Sequence, residues 1–152
     1  MNFISHRGNI LKKDVDLENQ PKYIDNAISQ NFDVEIDIWL KQNKFYLGHD
    51  NPSYLIDLNW LNIRANKLWI HCKNYDSISF FSKNYKNKNF NFFWHNNDDM
   101  TLTSLGYLWV YPGKQPIKGS IAVLPEIYED DISDCIGICS DIILKYRNDI
   151  IK

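Results

Sequence analysis

Short apolar runs alternate with polar or helix-spaced stretches along the whole chain. Residues 2–5 lead into His6-Arg7-Gly8 and predict a first strand. In 21–30, Tyr23, Ile24, Ala27 and Ile28 recur at helical spacing, and Pro21 suits a first helical turn, where its missing N–H does no harm. The run 32–40 predicts a strand, polar 41–44 a turn, and 45–48 an extended return. Helical spacing covers 52–66, a strand follows at 67–72, and 76–84 predicts a short helix with Asp76 as its N-cap. The runs 91–95, 107–111, 120–124 and 136–139 complete the strands, the second of them stopped by Pro112-Gly113.

Strands separated by helices predict right-handed crossovers and a parallel sheet, and β-branched, aromatic runs suit strands buried on both faces. The later connections, 103–106 and 113–119, leave little room for a full helix. An ordinary eight-stranded barrel takes about 250 residues, and this chain has 152. The expected fold is a single α/β domain over 1–152. It is a reduced or incomplete TIM-type (β/α) barrel with roughly seven mostly parallel strands. Missing outer helices would leave apolar strand faces bare, and such patches become interfaces, so a homo-oligomer is expected.

Chemistry gathers where the apolar runs end. In a parallel α/β sheet the carboxyl ends of the strands form the active face. His6, His49, His71 and His95, all the histidines of the chain, fall at ends of runs. Residues two apart on a strand share a face. Glu35 and Asp37 therefore point one way, and Val34, Ile36 and Ile38 the other, toward helices. His71 and Lys73 likewise share a face, with Cys72 opposite. Two buried carboxylates side by side repel, and an unpaired buried charge is costly. A divalent cation removes both problems, and oxygen ligands suit Mg²⁺, Ca²⁺ or Mn²⁺. Neutralisation by Arg7 or Lys73 without a metal is the alternative, and spacing alone does not choose between them. Histidines titrating near 6.5 can divide acid and base roles at neutral pH, and the guanidinium fork of Arg7 matches a phosphate.

Composition narrows the partners. Hydrophobic residues at 44% supply a core, and a net charge of −2 gives no general reason to expect nucleic acid or an acidic membrane. Any anion must be held by a few placed cations. No apolar run approaches the roughly 20 residues of a membrane span, and no basic-then-apolar leader is visible, so a cytoplasmic protein is expected. Three cysteines, an odd count, argue against a disulfide framework. Cys135 and Cys139 lack a second metal-binding pair and read as buried thiols.

Ile4-Ser5-His6-Arg7-Gly8, then Glu18-Asn19, then Asp33-Val34-Glu35-Ile36-Asp37, a lysine-containing turn and Gly48-His49-Asp50 follow in order. Together they resemble the N-terminal signature of the glycerophosphodiester phosphodiesterases, within the phospholipase C-like superfamily. Ile136-Gly137-Ile138-Cys139-Ser140-Asp141 is similar to that family's last barrel strand, while the middle of the chain carries little resemblance beyond Lys73. The resemblance implies a metal-dependent cleavage of a small phosphodiester. In it, His6 and His49 would be acid and base, and Glu35 and Asp37 metal ligands. Arg7 and Lys73 would bind phosphate, with Glu18 part of the site. It implies attack on phosphorus by a hydroxyl of the substrate, then opening of the cyclic ester by water.

One position departs from the family. Where the family carries a glutamate ligand, this chain has His71. A neutral imidazole still binds metal but adds no negative charge, which shifts preference from Mg²⁺ or Ca²⁺ toward Mn²⁺. His71 as a substrate contact only, or a joint loss of metal and activity, are the other readings. His95 is a candidate for lining the substrate pocket or a satisfied polar residue. Trp39 caps the core or walls the site, and Trp109 and Tyr111 stack on a substrate ring or pack, packing being the usual role of strand aromatics. Glu126 and Asp141 belong to the site or to solvated loops; Lys12, Lys13 and the stretch 83–88 read as solvated surface. The expected function is a phosphodiester hydrolase with a polyol or sugar on one side of its substrate. The alternatives are a lyase that stops at the cyclic phosphate and a degenerate barrel that binds a phosphorylated ligand without turnover.

Overall fold

The computed structural model describes residues 1–84 and 90–151. The lysine-rich stretch 83–88 lies mostly outside them. Among the described residues, ten strands form one mixed sheet: β1 (Asn2–His6), β2 (Asp33–Lys41), β3 (Lys44–Leu47), β4 (Tyr54–Ile56), β5 (Leu68–Cys72), β6 (Asn91–Phe93), β7 (Met100–Leu102), β8 (Leu108–Val110), β9 (Ile121–Val123) and β10 (Gly137–Ser140). The α-helices are short: α1 (Pro21–Ser29), α2 (Leu58–Asn62), α3 (Tyr75–Asn84) and α4 (Ile143–Ile150).

The expected TIM-type barrel of parallel strands and flanking helices is not what forms. The sheet curls into a half-barrel. β6, β5, β2, β1, β10, β9 and β8 are parallel neighbours in that order, but β3, β4 and β7 pair antiparallel. The physical reason lies in the connections. Those into β9 and β10 hold loops and one 3₁₀ turn, Pro125–Ile127, instead of crossover helices. Chain that a full barrel would spend on helices is folded back as hairpins. The outer edge of β6 meets no strand of the described residues but is satisfied by a loop. The Ser104 N–H donates to Phe92 O at 2.8 Å, and Ser104 Oγ accepts from Phe92 N at 2.9 Å. Those bonds remove the unpaired edge that would invite aggregation.

Other elements also differ from expectation. The helix predicted over 52–66 is split: Tyr54–Ile56 joins the sheet as β4, and α2 begins only after Asp57. Asp57 Oδ1 accepts from Trp60 N at 2.7 Å, a side-chain N-cap that starts the helix there. At α3 the capping oxygen belongs to Asn74, whose Oδ1 accepts from Ser77 N; Asp76 sits inside the first turn. α4 and β7 were not legible in the apolar pattern.

Strand alternation builds two cores. Outward-facing Val34, Ile36, Ile38 and Ile70 pack with Ile24 and Ala27 of α1 and Phe81 of α3. Inward-facing Ile4, Trp69, Phe93, Trp109, Ile121 and Cys139 fill the trough. The outward strand residues Val110, Ala122 and Ile138 are fully buried as well. The terminal strands of the sheet differ: Leu55 of β4 and Met100 and Leu102 of β7 leave apolar side chains exposed. All three cysteines are buried free thiols.

Candidate active site

On strand after strand, an apolar inward residue is followed two places on by one that can do chemistry. Ile4 precedes His6, Trp69 precedes His71, Phe93 precedes His95, Trp109 precedes Tyr111 and Cys139 precedes Asp141. The period of two keeps each pair on one face. The apolar members floor the trough, and the polar members ring its mouth. Above them lies a cavity of about 320 Å³. His6, Arg7, Glu35, His49, His71 and Lys73 line it from the first half of the chain. His95, Trp109, Tyr111 and Leu124 line it from the second.

His49 does not end a parallel strand, contrary to the sequence expectation. β1 pairs with β2 only as far as Glu35, and β2 runs on to Lys41. β3 returns antiparallel beside that overhang, Leu47 opposite Ile38, and Gly48 N donates to Asp37 O at 3.2 Å. The hairpin thus delivers His49 back to the level of Asp37. Gly48 has φ +145°, and a Cβ there would lie 2.1 Å from Asn51 O, so only glycine permits the turn. Trp39 braces the same loop through its indole N–H, which donates to Gly48 O at 2.7 Å. At the end of β1, Arg7 sits in the left-handed region at φ 55°, next to Gly8, whose Cβ would strike the Tyr23 ring at 2.5 Å.

Charges at the mouth are interlocked. Asp37, fully buried, receives His71 Nδ1–H on Oδ1 at 2.9 Å and Asn19 Nδ2 on Oδ2 at 2.9 Å. Lys73 Nζ lies 3.5 Å from Oδ1. Arg7 Nε is 2.9 Å from Oδ2, an ion pair whose N–H is out of line for a hydrogen bond. Burial would raise Asp37, but the His71 hydrogen bond and the Arg7 and Lys73 charges outweigh it and hold the carboxyl well below its usual range. Glu35 is the opposite case. Its Oε2 is buried with no hydrogen-bond partner. Burial and the Asp37 charge push its carboxyl up against the opposing pull of His6, Arg7 and His71. Glu18 accepts from Arg7 Nη1 and from Asn9 Nδ2, each at 3.0 Å. Burial alone would disfavour the Arg7 charge; Asp37, Glu35 and Glu18 more than restore it.

His6 has a partner from the far end of the chain. Its Nδ1–H donates to Asp141 Oδ1 at 2.7 Å, and Asn9 Nδ2 donates to the same oxygen at 2.8 Å. A carboxylate acceptor on Nδ1 leaves the lone pair on Nε2, which lies 3.9 Å from Glu35 Oε2. Burial opposes the Asp141 charge, but the His6 bond prevails and keeps that carboxyl below its usual range. His49 is half-exposed, with Asp50 Oδ1 2.7 Å from Nδ1; burial and the Arg7 charge lower its pKa from 6.5. His95 stacks on His71 with ring centres 4.3 Å apart, and both its ring nitrogens lie within reach of the Tyr111 hydroxyl. Burial and the neighbouring His71 push His95 down to about 4.

No family model, no curated protein and no solved structure matches this chain. Among the described residues no helix is long and apolar enough to cross a membrane.

His6, Arg7, Glu35, His49, His71, Lys73 and His95 thus meet at one cavity. Asp37 lies beneath it, and Glu18 stands at its side, anchoring Arg7. Asp141, Tyr111 and Trp109 also belong here. The period-two step from Cys139 to Asp141 was the readable signal for Asp141; nothing in the pattern separates a lining tryptophan from a packed one. Asn9 carries no sequence signal and Asn19 only its place in the Glu18-Asn19 motif, because their roles depend on partners distant in sequence. Glu126 accepts from Ser140 Oγ and Asp141 N, supporting the Asp141 turn. Glu35, Asp37 and His71 are the residues that could hold a divalent cation at the mouth. Donor atoms of Glu35, Asp37 and His71 lie within 4.8 Å of one another, and Glu35 carries the buried oxygen that lacks a partner.

Proposed function

We propose that this protein is a phosphodiesterase of the glycerophosphodiester type, splitting a small phosphodiester whose retained alcohol carries a hydroxyl beside the phosphate. The observation that supports this most is the meeting of two histidines, Arg7, Lys73 and a carboxylate pair with an orphaned oxygen around one cavity. The sequence resemblance over the first third of the chain adds to it.

The roles follow from the hydrogen bonds. His6 is the base. Its Nδ1 proton is committed to Asp141, so Nε2 is the free lone pair within the cavity. It takes the proton of the attacking hydroxyl as oxygen bonds to phosphorus. His49 is the acid. It stands on the rim and gives its proton to the departing alkoxide as the old phosphorus–oxygen bond breaks. The products are an alcohol and a cyclic phosphate. In hydrolysis the roles reverse: His49 takes a proton from water, and His6 returns one to the ring oxygen as the ring opens to a monoester. Arg7, already oriented by Glu18 and Asp37, and Lys73 carry positive charge toward the phosphoryl oxygens. Glu35, Asp37 and His71 would hold a divalent cation, which would supply further charge stabilisation there.

A panel of glycerophosphodiesters, each with Mg²⁺, Ca²⁺, Mn²⁺ or EDTA, tests the reading by ³¹P NMR. Release of alcohol with a monoester is expected. Accumulation of cyclic phosphate would make the protein a lyase instead, and no phosphorus product under any condition would remove the reading.

A further inference from the structure

A second cavity, of about 370 Å³, adjoins the first and is not used by the chemistry above. Arg7 and His49 line both cavities, so the two share a boundary at the residues that would grip the phosphate and protonate the leaving oxygen. The rest of the lining includes Lys13, Asn51, Ser53 and Tyr54. Glu18 and Asn19 also face it, but they are committed to Arg7, Asn9 and Asp37. Among the described residues, the Lys13 ammonium, the Asn51 side-chain amide and the Tyr54 hydroxyl make no hydrogen bond or ion pair.

We infer that this basin is a subsite for the leaving alcohol of a phosphodiester, and that the alcohol it takes is a neutral polyol or sugar. The inference rests on the phosphodiesterase reading for the position of the phosphate. Charge decides the ligand class. Lys13 and Arg7 are balanced by Glu18 and Asp50 in the same lining, so neither a strongly anionic nor a cationic arm is favoured. Unpartnered amide, hydroxyl and ammonium groups suit an arm rich in hydroxyls. Val15 and the Tyr54 ring are the main apolar surface, too little for an acyl chain. The volume is at the lower end of ordinary ligand sites, about 300–1,000 Å³, and suits one ring-sized group. The two arms of the substrate are then read differently: the inner one against Trp109, Tyr111 and Leu124, the outer one by hydrogen bonds.

The test compares glycerol phosphodiesters of inositol and of methanol, with turnover and calorimetric binding measured for the native protein, Asn51→Ala and Tyr54→Phe. Tyr54→Phe keeps the ring that packs against the outer core and removes only the hydroxyl. The inositol diester should show the lower KM. Each variant should raise that KM about fivefold, the worth of one hydrogen bond, with the methyl diester unchanged. Equal KM for the two diesters, or variants that shift both equally, overturns the subsite while leaving the phosphodiesterase standing. Inositol-dependent binding that the variants weaken, without cleavage of either diester, removes the phosphodiesterase reading and overturns the leaving-alcohol role, leaving a polyol-binding basin. Binding of neither diester overturns both.

Discussion

The two halves of the chain build the mouth of the trough in different ways. Through Lys73, the parallel strands β1, β2 and β5 have five, nine and five residues, with α1 before β2 and α2 before β5. This half supplies the charged groups: Arg7, Glu18, Glu35, Asp37, Lys73 and three of the histidines. From Asn91 onward the inner strands have three or four residues, and loops replace crossover helices. This half supplies most of a wall of rings, with Phe93 against Trp109 at 4.8 Å, and Trp109 meets Trp69 of the first half at 5.6 Å. Charged groups must be held to a fraction of an ångström by strands and second partners. A wall of large rings tolerates shorter supports, because area more than direction carries its energy.

That contrast can be broken from either side. The largest effect belongs to the charged half. His6→Ala should lower turnover by about 10²–10⁴, with the fold intact by circular dichroism; a variant that keeps its rate would take His6 out of the chemistry. In the ring half, Trp109→Ala should cut unfolding free energy by about 3–5 kcal/mol, read from urea melts, while the surviving folded fraction loses far less rate than His6→Ala. A stable Trp109→Ala protein would mean the wall does not carry the inner core.

His71 joins the two halves, bonded to Asp37 and stacked on His95. If it binds a cation, protons compete with the metal, so affinity should weaken as pH falls. His71→Glu should tighten Mg²⁺ binding by at least about tenfold and flatten that dependence, since carboxylates titrate about two units lower. Calorimetry showing neither change would remove His71 from the metal's ligands. The smallest effect is a displaced pH profile. His49 must be protonated to act as the acid, and burial and Arg7 make its imidazolium easier to deprotonate. The acid form is therefore lost as pH rises through a value below 6.5, and the alkaline limb of kcat/KM should lie there. A limb at or above 6.5 that His49→Ala leaves in place would assign it to another group.

The charged half was the more legible. Glu35 with Asp37, and His71 with Lys73, were paired correctly by alternation, because a pleat is a local property. Less could be read where the partner is remote. By sequence His49 reads as a parallel strand end, whereas β3 is antiparallel and returns along the overhang of β2. The Asp141–His6 bond spans 135 positions. The segment 52–66 had helical spacing, yet the free edge of β3 drew Tyr54–Ile56 into the sheet.

The chain by itself therefore determined which residues face the trough and which face the outer core. Strand periodicity is written into neighbouring residues and needs no distant partner. It also determined the chemical types available at the mouth. Tertiary structure alone decided that the sheet stays a mixed half-barrel, that Ser104 closes the edge of β6, and that Asp141 orients His6. Each of those depends on which segments meet, and that is set by competition among long-range contacts whose free energies no local pattern records.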